Sequence, residues 1–322
     1  KEKSKFLYTN TDVISCNYIS PSLTSKKNII VEKHTHSICN FPPMLLGSCP
    51  ADGGSLIFTK EEKETFVQQY PELSYLLKPF IGSSEFIKNI ERWCLWVSEK
   101  DLPLIRNNPI LNKRVNDCKI NRLNSKKKET QERAQTPYLF TENRYKKSNA
   151  IILPITSSER RKYIPIGFVL HDAVIYHSAF AIYDISSFIF GIITSYMHMV
   201  WMRAVAGRLK TDYRYSATLV YNTFPFPKIS DQQKKRIELC VQEILRIREK
   251  YSEKTMAELY DPDKMPKDLL EAHHSLDLVI ESCYRRKPFE NDEQRLTHLF
   301  KMYEMMTSNA SEEELKQLEL GV

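Results

Sequence analysis

Apolar positions along the chain follow two periods, and the period separates predicted strands from predicted helices. Short runs of β-branched and aromatic residues predict buried strands at residues 150–155, 166–170, 173–176 and 179–183. An earlier run, 91–97, places large apolar side chains on two faces and predicts another strand, with Trp93 and Trp96 packed in the core. Strands of this kind, interspersed with helices, are typical of an α+β domain.

Periods of three and four residues predict the helices. One begins after Thr59, where Glu62 completes a capping box, and a strongly charged helical pattern occupies residues 101–133. Apolar side chains on one face predict a single buried helix over 187–205, closed by Gly207 as its C-cap. This helix is expected to anchor the basic segment that follows it.

After residue 229 the pattern is wholly helical. Capping residues or a proline mark four helix starts, at Ser230, Thr255, Pro266 and Asn291. We therefore predict an α+β fold: a mixed α/β domain over residues 1–229, entered by an irregular segment at 1–40, and a small all-helical domain over 230–322. The polar tail, 311–322, is expected to fray.

Composition is compatible with a folded cytoplasmic protein. Hydrophobic residues make up 42% of the 322 residues, enough for a packed core. Seven cysteines, an odd number with no Cys-x-x-Cys pair, favour reduced thiols in the cytoplasm. The longest stretch without a charged residue, 185–202, has 18 residues, but its amphipathic spacing favours a buried helix and no membrane partner. Because the first residue is Lys1, we expect the chain to be a piece of a longer polypeptide or a processed chain.

Positive charge is concentrated in one part of the chain. The whole sequence carries a net +7, whereas residues 231–322, with 15 Lys and Arg against 20 Asp and Glu, carry −5. Residues 101–162 hold 15 Lys and Arg against 6 Asp and Glu, a net of +9. A localised excess of this kind favours a polyanion as partner over a merely solvated face.

No self-sufficient catalytic or cofactor site is recognisable. Among the eight glycines there is no Gly-x-Gly loop for a nucleotide or dinucleotide, and the Pro-Pro pair at 42–43 lacks the preceding Asn or Asp of amino-methylating enzymes. His34, His36, Cys39 and Cys49 are types that ligate zinc, but their spacing matches no common finger. A loop with incidental ligand types is the favoured interpretation, so neither cofactor nor metal is expected in this chain.

Cations and phenols are interleaved in the segment 203–215. Arginine and lysine beside hydroxyl donors are the groups that hold phosphate oxygens. With other cations and hydroxyls of the basic region they form the predicted phosphate-contact set: Lys126, Lys127, Lys128, Ser157, Ser158, Arg160, Arg203, Arg208, Lys210, Arg214 and Tyr215. The alternative is a basic loop that only solvates the surface. His198 is expected to pack on the helix.

Several blocks of the sequence resemble one known family. In order over most of residues 41–300, they are ADGGSLIFTKEE, LLKPFIGSSEFI, ERWCLWV, SKKKETQERAQTPYLF, SSERRKYIPIGF, HMVWMRAVAGRLKTDYRYS, VYNTFPFP, LYDPDKMP and YRRKPF. They resemble the C-terminal part of the MmeI-like type IIL restriction–modification enzymes, which are adenine-specific DNA methyltransferases. The resemblance implies a target-recognition domain and a C-terminal helical domain here. It places an S-adenosylmethionine-dependent methyltransferase, and any magnesium-dependent nuclease, in upstream domains of the same polypeptide.

The charge pattern and the resemblance together predict double-stranded DNA as partner. Arginine and lysine can pair with guanine, and glutamate can accept a hydrogen bond from cytosine. The base-reading candidates are Asn143, Arg144, Glu159, Arg161 and Lys162. Glu159 and Arg161 are two residues apart on one loop, so both can reach a groove, or they form a salt bridge with each other. A module for structured RNA and a protein–protein scaffold are the alternative functions.

Overall fold

The computed structural model describes residues 5–8, 13–16, 29–183 and 186–308. The strands are β1 (Lys5–Tyr8), β2 (Val13–Cys16), β3 (Met44–Leu46), β4 (Ile57–Thr59), β5 (Leu77–Ile81), β6 (Arg92–Leu95), β7 (Ala150–Pro154), β8 (Thr156–Ser157), β9 (Gly167–Val169), β10 (Val174–Ile175), β11 (Ala179–Tyr183), β12 (Gly207–Leu209) and β13 (Asp212–Arg214). The helices are α1 (Lys60–Gln69), α2 (Ser83–Lys88), α3 (Leu102–Asn107), α4 (Pro109–Leu123), α5 (Lys128–Glu132), α6 (Ser187–Thr194), α7 (Tyr196–Val205), α8 (Asp231–Lys250), α9 (Met256–Leu259), α10 (Lys267–Tyr284) and α11 (Asp292–Thr307). The predicted α+β class is confirmed.

One antiparallel sheet, in the order β3-β11-β7-β9, separates two cores. Strands β7 and β11 pair with Ile152 opposite Ala181, and every residue of both strands is buried. Ile151 and Leu153 pack into the main core, whereas Ala150 and Ile152 pack into a smaller one. A strand covered on both faces is apolar throughout, which is why its sequence shows a continuous run.

A second sheet, in the order β10-β5-β6-β4, has its own core with α1 and α4. The capping box predicted at Thr59 opens α1 as expected. Strand β6 confirms the strand predicted in residues 91–97. Trp93 and Trp96 are partly buried against this core, and the Trp96 ring lies 5.0 Å from that of Phe140. The tryptophans therefore pack inside the fold, as predicted.

The single helix predicted over 187–205 is wrong, because the chain breaks at Ser195 into α6 and α7. The Ser195 hydroxyl donates to the carbonyl of Ile192 at 2.7 Å and accepts the backbone amide of His198 at 3.3 Å, so it caps α7. Gly207 does not close a helix but begins β12. Within the described ranges no single helix is long and apolar enough to cross a membrane; α6 and α7 meet that test only as a pair bent by 57°.

The four predicted C-terminal helices are α8 to α11. Their starts are confirmed: side chains at Ser230, Thr255 and Asn291 accept backbone amides of their own helices, and Pro266 precedes α10. These signals were recognisable in the sequence because a cap needs only residues within one turn.

The main core runs across the predicted boundary between residues 229 and 230. A Cβ atom at Gly191 on α6 would lie 2.5 Å from Ile237 Cγ2 on α8, so the glycine lets the two helices touch. On α7, the Trp201 ring packs on Phe300 and Tyr303 of α11, at 5.3 and 5.6 Å. The C-terminal helices thus share one core with the preceding sheet and helices.

The ends of the chain differ from expectation in one respect. Residues 1–40 were predicted to be irregular, but β1 and β2 pair as an antiparallel hairpin with Phe6 opposite Ser15. The tail that was predicted to fray, residues 311–322, lies outside the described residues.

Candidate nucleic-acid interface

The predicted basic segment forms a β-hairpin, residues 207–214, that pairs with the strand leading into the loop at residues 158–162. In β12 and β13, Arg208 is opposite Tyr213, and β13 pairs in turn with β8, where Tyr213 is opposite Ser157. The 158–162 loop starts where β8 ends. Strand pairing therefore places two segments, some 50 residues apart in sequence, side by side.

One ion pair joins the loop to the hairpin. Arg208 Nη1 lies 3.2 Å from Glu159 Oε2 and donates to the carbonyl of Thr211 at 2.7 Å. The Arg208 guanidinium also stacks on the Tyr213 ring, 3.9 Å from its centroid. Glu159 thus pairs with Arg208 rather than with Arg161. Because the two side chains are 44% and 47% exposed, this pair contributes little to stability and is free to exchange partners.

Arg203, predicted to contact phosphate, instead supports the loop. Its guanidinium donates to the carbonyls of Arg161 and Lys162 at 3.3 and 3.2 Å, and to the Tyr196 hydroxyl at 3.3 Å. The side chain is half-buried. A guanidinium with three acceptors of the fold is engaged already, so its phosphate role is corrected to a supporting one.

Two further members of the phosphate set are buried, and their prediction is wrong. Tyr215 is 3% exposed, and its hydroxyl lies 2.8 Å from His198 Nε2. Burial raises the pKa of Tyr215 and lowers the pKa of His198 to about 3, so both groups are neutral at physiological pH. Ser157 is 4% exposed. Neither hydroxyl reaches the surface, whereas His198 packs inside the fold as predicted.

Arg160 pairs with the turn between α9 and α10, and Lys162 pairs with α10. Arg160 Nη2 lies 2.5 Å from Asp263 Oδ2, and Lys162 Nζ lies 2.5 Å from His274 Nε2. Within the loop, the hydroxyl of Ser158 accepts the backbone amide of Arg160 at 3.4 Å. These three residues are therefore engaged within the fold, although the Arg160 side chain remains 65% exposed.

Three cations of the loop and the hairpin have no side-chain hydrogen bond or ion pair within the described ranges. They are Arg161 on the loop, and Lys210 and Arg214 on the hairpin. Lys210 and Arg214 are exposed, and Arg161 is half-buried. Burial lowers the pKa of Arg161, while the carboxylates of Asp261 and Asp212 oppose this shift. Arg161 remains a cation, held where a ligand can supply its missing acceptors.

Asn143 and Arg144 belong to another neighbourhood. Arg144 Nη1 donates to the carbonyl of Gly47 at 3.1 Å, and Nη2 lies 2.5 Å from Glu142 Oε2. Its guanidinium is thus engaged by the fold, which argues against the base-reading role predicted for it. Asn143 is exposed, and its carbonyl oxygen accepts the backbone amide of Tyr145 at 3.1 Å.

Lys126, Lys127 and Lys128 lie at the start of α5, where all three are exposed. None has a side-chain hydrogen bond or ion pair in the part of the chain that the structure describes. They form a second cationic patch, about 30 residues before the 158–162 loop in sequence.

Two family models match this chain in succession. Residues 25–228 match the target recognition domain of MmeI, and residues 229–310 match the MmeI C-terminal domain. The chain belongs to the MmeI family. The resemblance drawn from the sequence blocks is thereby confirmed.

The proteins that this chain resembles are longer than the chain itself. It is 43% identical over 304 residues to DNA methyltransferase A of Bacillus subtilis (strain 168), covering 94% of this chain and 34% of the relative. The solved structure of the type IIL restriction-modification enzyme MmeI in complex with DNA matches with a TM-score of 0.88 at 38% identity, covering 95% of this chain and 42% of that one. The chain thus spans about a third of the curated relative's length.

The zinc-ligand types near the N-terminus are used in packing. Cys39 Sγ donates to the carbonyl of Phe224 at 3.3 Å, and burial raises the pKa of this thiol to about 12. The His34 ring packs on the edge of Tyr303. Among the described residues, no group of three or more His, Cys, Asp or Glu side chains is placed to hold a metal ion.

Sequence reasoning missed the C-terminal residues that hold the loop, Asp263 and His274. They lie 103 and 112 residues beyond their partners, Arg160 and Lys162, and no periodic pattern connects positions so far apart. The one available signal was Asp263 itself, which stands in the block LYDPDKMP shared with the MmeI family.

Proposed function

We propose that this chain is the sequence-specific double-stranded-DNA recognition module of an adenine-N6 DNA methyltransferase in a type II restriction–modification system. The pairing of β13 with β8 carries the proposal, because it brings Glu159 and Arg161 next to the cations of the hairpin. Membership of the MmeI family and the DNA complex of a relative support the same function.

Base reading is assigned to the 158–162 loop. A guanidinium pairs bidentately with O6 and N7 of guanine in the major groove, and a carboxylate accepts from cytosine N4. Arg161 has no side-chain hydrogen bond or ion pair within the described ranges, and Glu159 becomes available when its exposed pair with Arg208 opens. Both side chains belong to one short loop, so both are expected to enter the same groove.

Phosphate contact is assigned to the exposed cations that the fold leaves unpaired in the described residues, Lys210, Arg214 and the patch Lys126, Lys127 and Lys128. Contacts of this kind position a protein on a duplex and add affinity, but they carry no sequence information. They complement the loop, which supplies the specificity.

Methyl transfer and S-adenosylmethionine are assigned to an upstream domain of the same polypeptide, together with Mg²⁺ if a nuclease is present. This chain has no Gly-x-Gly loop to hold a nucleoside cofactor. A target adenine flipped out of the duplex would enter the upstream domain, while this chain grips the flanking duplex. We place the whole polypeptide in the cytoplasm.

Selection of bound duplexes from a randomised library, at moderate salt with competitor DNA, tests the proposal. We expect one enriched motif of about six base pairs. Uniform retention without a motif would contradict specific readout by this chain. If A-form RNA displaces the bound duplex more strongly than B-form DNA does, an RNA-binding module is favoured. Partner binding that does not depend on salt concentration would favour a protein scaffold.

Two arginine variants separate base reading from phosphate contact. Arg161→Ala is expected to relax the preference at one motif position by about tenfold or more, since a bidentate pair supplies ~1–3 kcal/mol of discrimination. Arg214→Ala is expected to weaken binding to all duplexes alike and to lower the slope of log K against log salt by about 1. Equal weakening of all duplexes by Arg161→Ala would move Arg161 to the phosphate set.

A further inference from the structure

The C-terminal helices hold one end of the 158–162 loop through a buried polar cluster. Tyr163, the first residue after the loop, is 1% exposed, and its hydroxyl donates to Asp277 Oδ2 on α10 at 2.6 Å. The Tyr163 ring stacks on His273, with centroids 4.3 Å apart. The loop therefore ends at a side chain whose hydroxyl and ring are both fixed by α10.

The same carboxylate fixes the helix that supports the loop backbone. Asp277 Oδ1 accepts the backbone amide of Tyr196, the first residue of α7, at 2.7 Å. About two turns of α7 further on lies Arg203, whose guanidinium donates to the carbonyls of Arg161 and Lys162. Asp277 thus connects the end of the loop with the helix whose arginine holds the loop.

Two surface contacts add to this attachment, but they are weaker. The pair of Arg160 with Asp263 joins side chains that are 65% and 70% exposed, and His274, the partner of Lys162, is exposed as well. Exposed pairs contribute little and exchange readily with solvent or ligand. The buried cluster around Asp277 is therefore the part of the attachment that sets the loop's path.

We propose that Asp277 is a positioning residue for base reading, acting through Tyr163 and Tyr196 on the 158–162 loop; this rests on the proposed function. The residue is 8% exposed, and its carboxylate is held by a phenol and a backbone amide rather than by an ion pair. Burying such a group costs free energy that apolar packing would avoid. The carboxylate contributes directional hydrogen bonds that fix the position of the loop. Such positioning matters because side chains that read base edges must be held to within about 0.5 Å.

The test is Tyr163→Phe, which removes the hydroxyl and keeps the ring on His273. Tyr284→Phe is the matched control, because Tyr284 on α10 is also fully buried and its hydroxyl donates to the carbonyl of Pro225 at 2.9 Å. The 322-residue chain and both variants are measured against duplexes with the selected motif and with every single base-pair change. Thermal melting of each protein shows whether the two variants lose comparable stability.

We expect Tyr163→Phe to relax the preference at one or two adjacent motif positions by about tenfold, the lower part of what one bidentate contact supplies. The other positions and the salt slope should stay as in the wild type, because the phosphate contacts are untouched. Tyr284→Phe should retain the wild-type profile. Uniform weakening by Tyr163→Phe, or the same profile for both variants, would overturn the positioning role.

Variants at Asp277 provide the second comparison. Asp277→Asn keeps the shape and can still accept from Tyr196, while the Tyr163 hydroxyl can rotate to accept from the new amide, so the motif should be retained. Asp277→Ala should relax the same positions as Tyr163→Phe; a retained motif would count against the inference. If the wild type selects no motif, the proposed function fails and takes this inference with it. If it selects one and these variants do not change it, only the positioning role fails.

Discussion

The hydrogen-bond acceptors around a guanidinium decide what that arginine does in this protein. Arg122 on α4 is 1% exposed and donates to backbone carbonyls. Arg203 is half-buried and donates to carbonyls of the 158–162 loop. Arg161 and Arg214 have no such partners among the described residues. The same planar fork stabilises the fold where carbonyls surround it, and is available for recognition where they do not.

Arg122 is expected to be one of the most sensitive positions for stability. Its five donated hydrogen bonds, of 2.6 to 3.2 Å, end on the carbonyls of Pro50, Ala51, Arg133, Thr136 and Leu139. Arg122→Lys should lower the free energy of unfolding by about 2–4 kcal/mol, because an ammonium cannot reach all these acceptors. Urea unfolding measures the loss, and Arg106→Lys on the exposed side of α3 should change stability by less than about 0.5 kcal/mol. Equal stability of the two variants would contradict this role.

Asp277 should make stability depend on pH. Burial raises its pKa from 3.8 to about 6, and the Glu281 carboxylate adds to the rise, whereas the hydrogen bonds from Tyr163 and Tyr196 oppose it. A raised native pKa means that this group favours the folded state below about pH 4, and that this contribution is lost as the pH rises through 6. Asp277→Asn should remove the loss, which amounts to roughly 2–3 kcal/mol by linkage. Urea unfolding of both proteins at pH 4, 5, 6 and 7 checks it; parallel curves would show that Asp277 does not titrate as described.

Among the elements, the β12–β13 hairpin holds Lys210 in a backbone conformation that is unfavourable for lysine. Lys210 has φ of 57° in the two-residue turn between β12 and β13, a region that glycine adopts without strain. Lys210→Gly should therefore stabilise the hairpin by up to about 1 kcal/mol, and Lys210→Val should destabilise it. Amide exchange of the hairpin measures both effects. The glycine variant should nevertheless bind all duplexes more weakly, since it loses a cation; unchanged binding would remove Lys210 from the phosphate set.

Elements defined by local signals were predictable, whereas a break inside an apolar run was not. The capping boxes at Thr59, Ser230 and Thr255 involve residues of one turn, and all three start helices as expected. Ser195 breaks the predicted long helix because its hydroxyl serves both helices, and a serine within an amphipathic pattern gives no sign of this. The cause is three-dimensional: α6 must follow α8 while α7 turns towards α11.

On the scale of the whole molecule, we expect salt-dependent affinity for DNA and sequence specificity to come from different parts of the surface. Replacing Lys126, Lys127 and Lys128 by alanine should weaken binding to all duplexes and reduce the slope of log K against log salt by about 1 to 3, while the selected motif stays the same. The control removes as many exposed cations from the C-terminal helical region, at Arg286, Lys287 and Lys301. Filter binding over a series of salt concentrations compares the slopes. Equal slopes in the two triple variants would show that only overall charge matters.

By itself, the sequence determined the α+β class, the four C-terminal helices, the location of the excess positive charge and membership of the family, because periodicity, caps, charge and motifs are properties of neighbouring residues. Tertiary structure alone decided which candidates share a site. Pairing of β13 with β8 joined the loop of Glu159 to the hairpin of Arg208. Burial keeps the Tyr215 and Ser157 hydroxyls from contacting a phosphate. Packing of α10 places Asp277 next to Tyr163, 114 residues away in sequence. Each of these outcomes depends on contacts between distant segments, and a hydroxyl or guanidinium has the same local sequence signature whether the fold encloses it or leaves it in water.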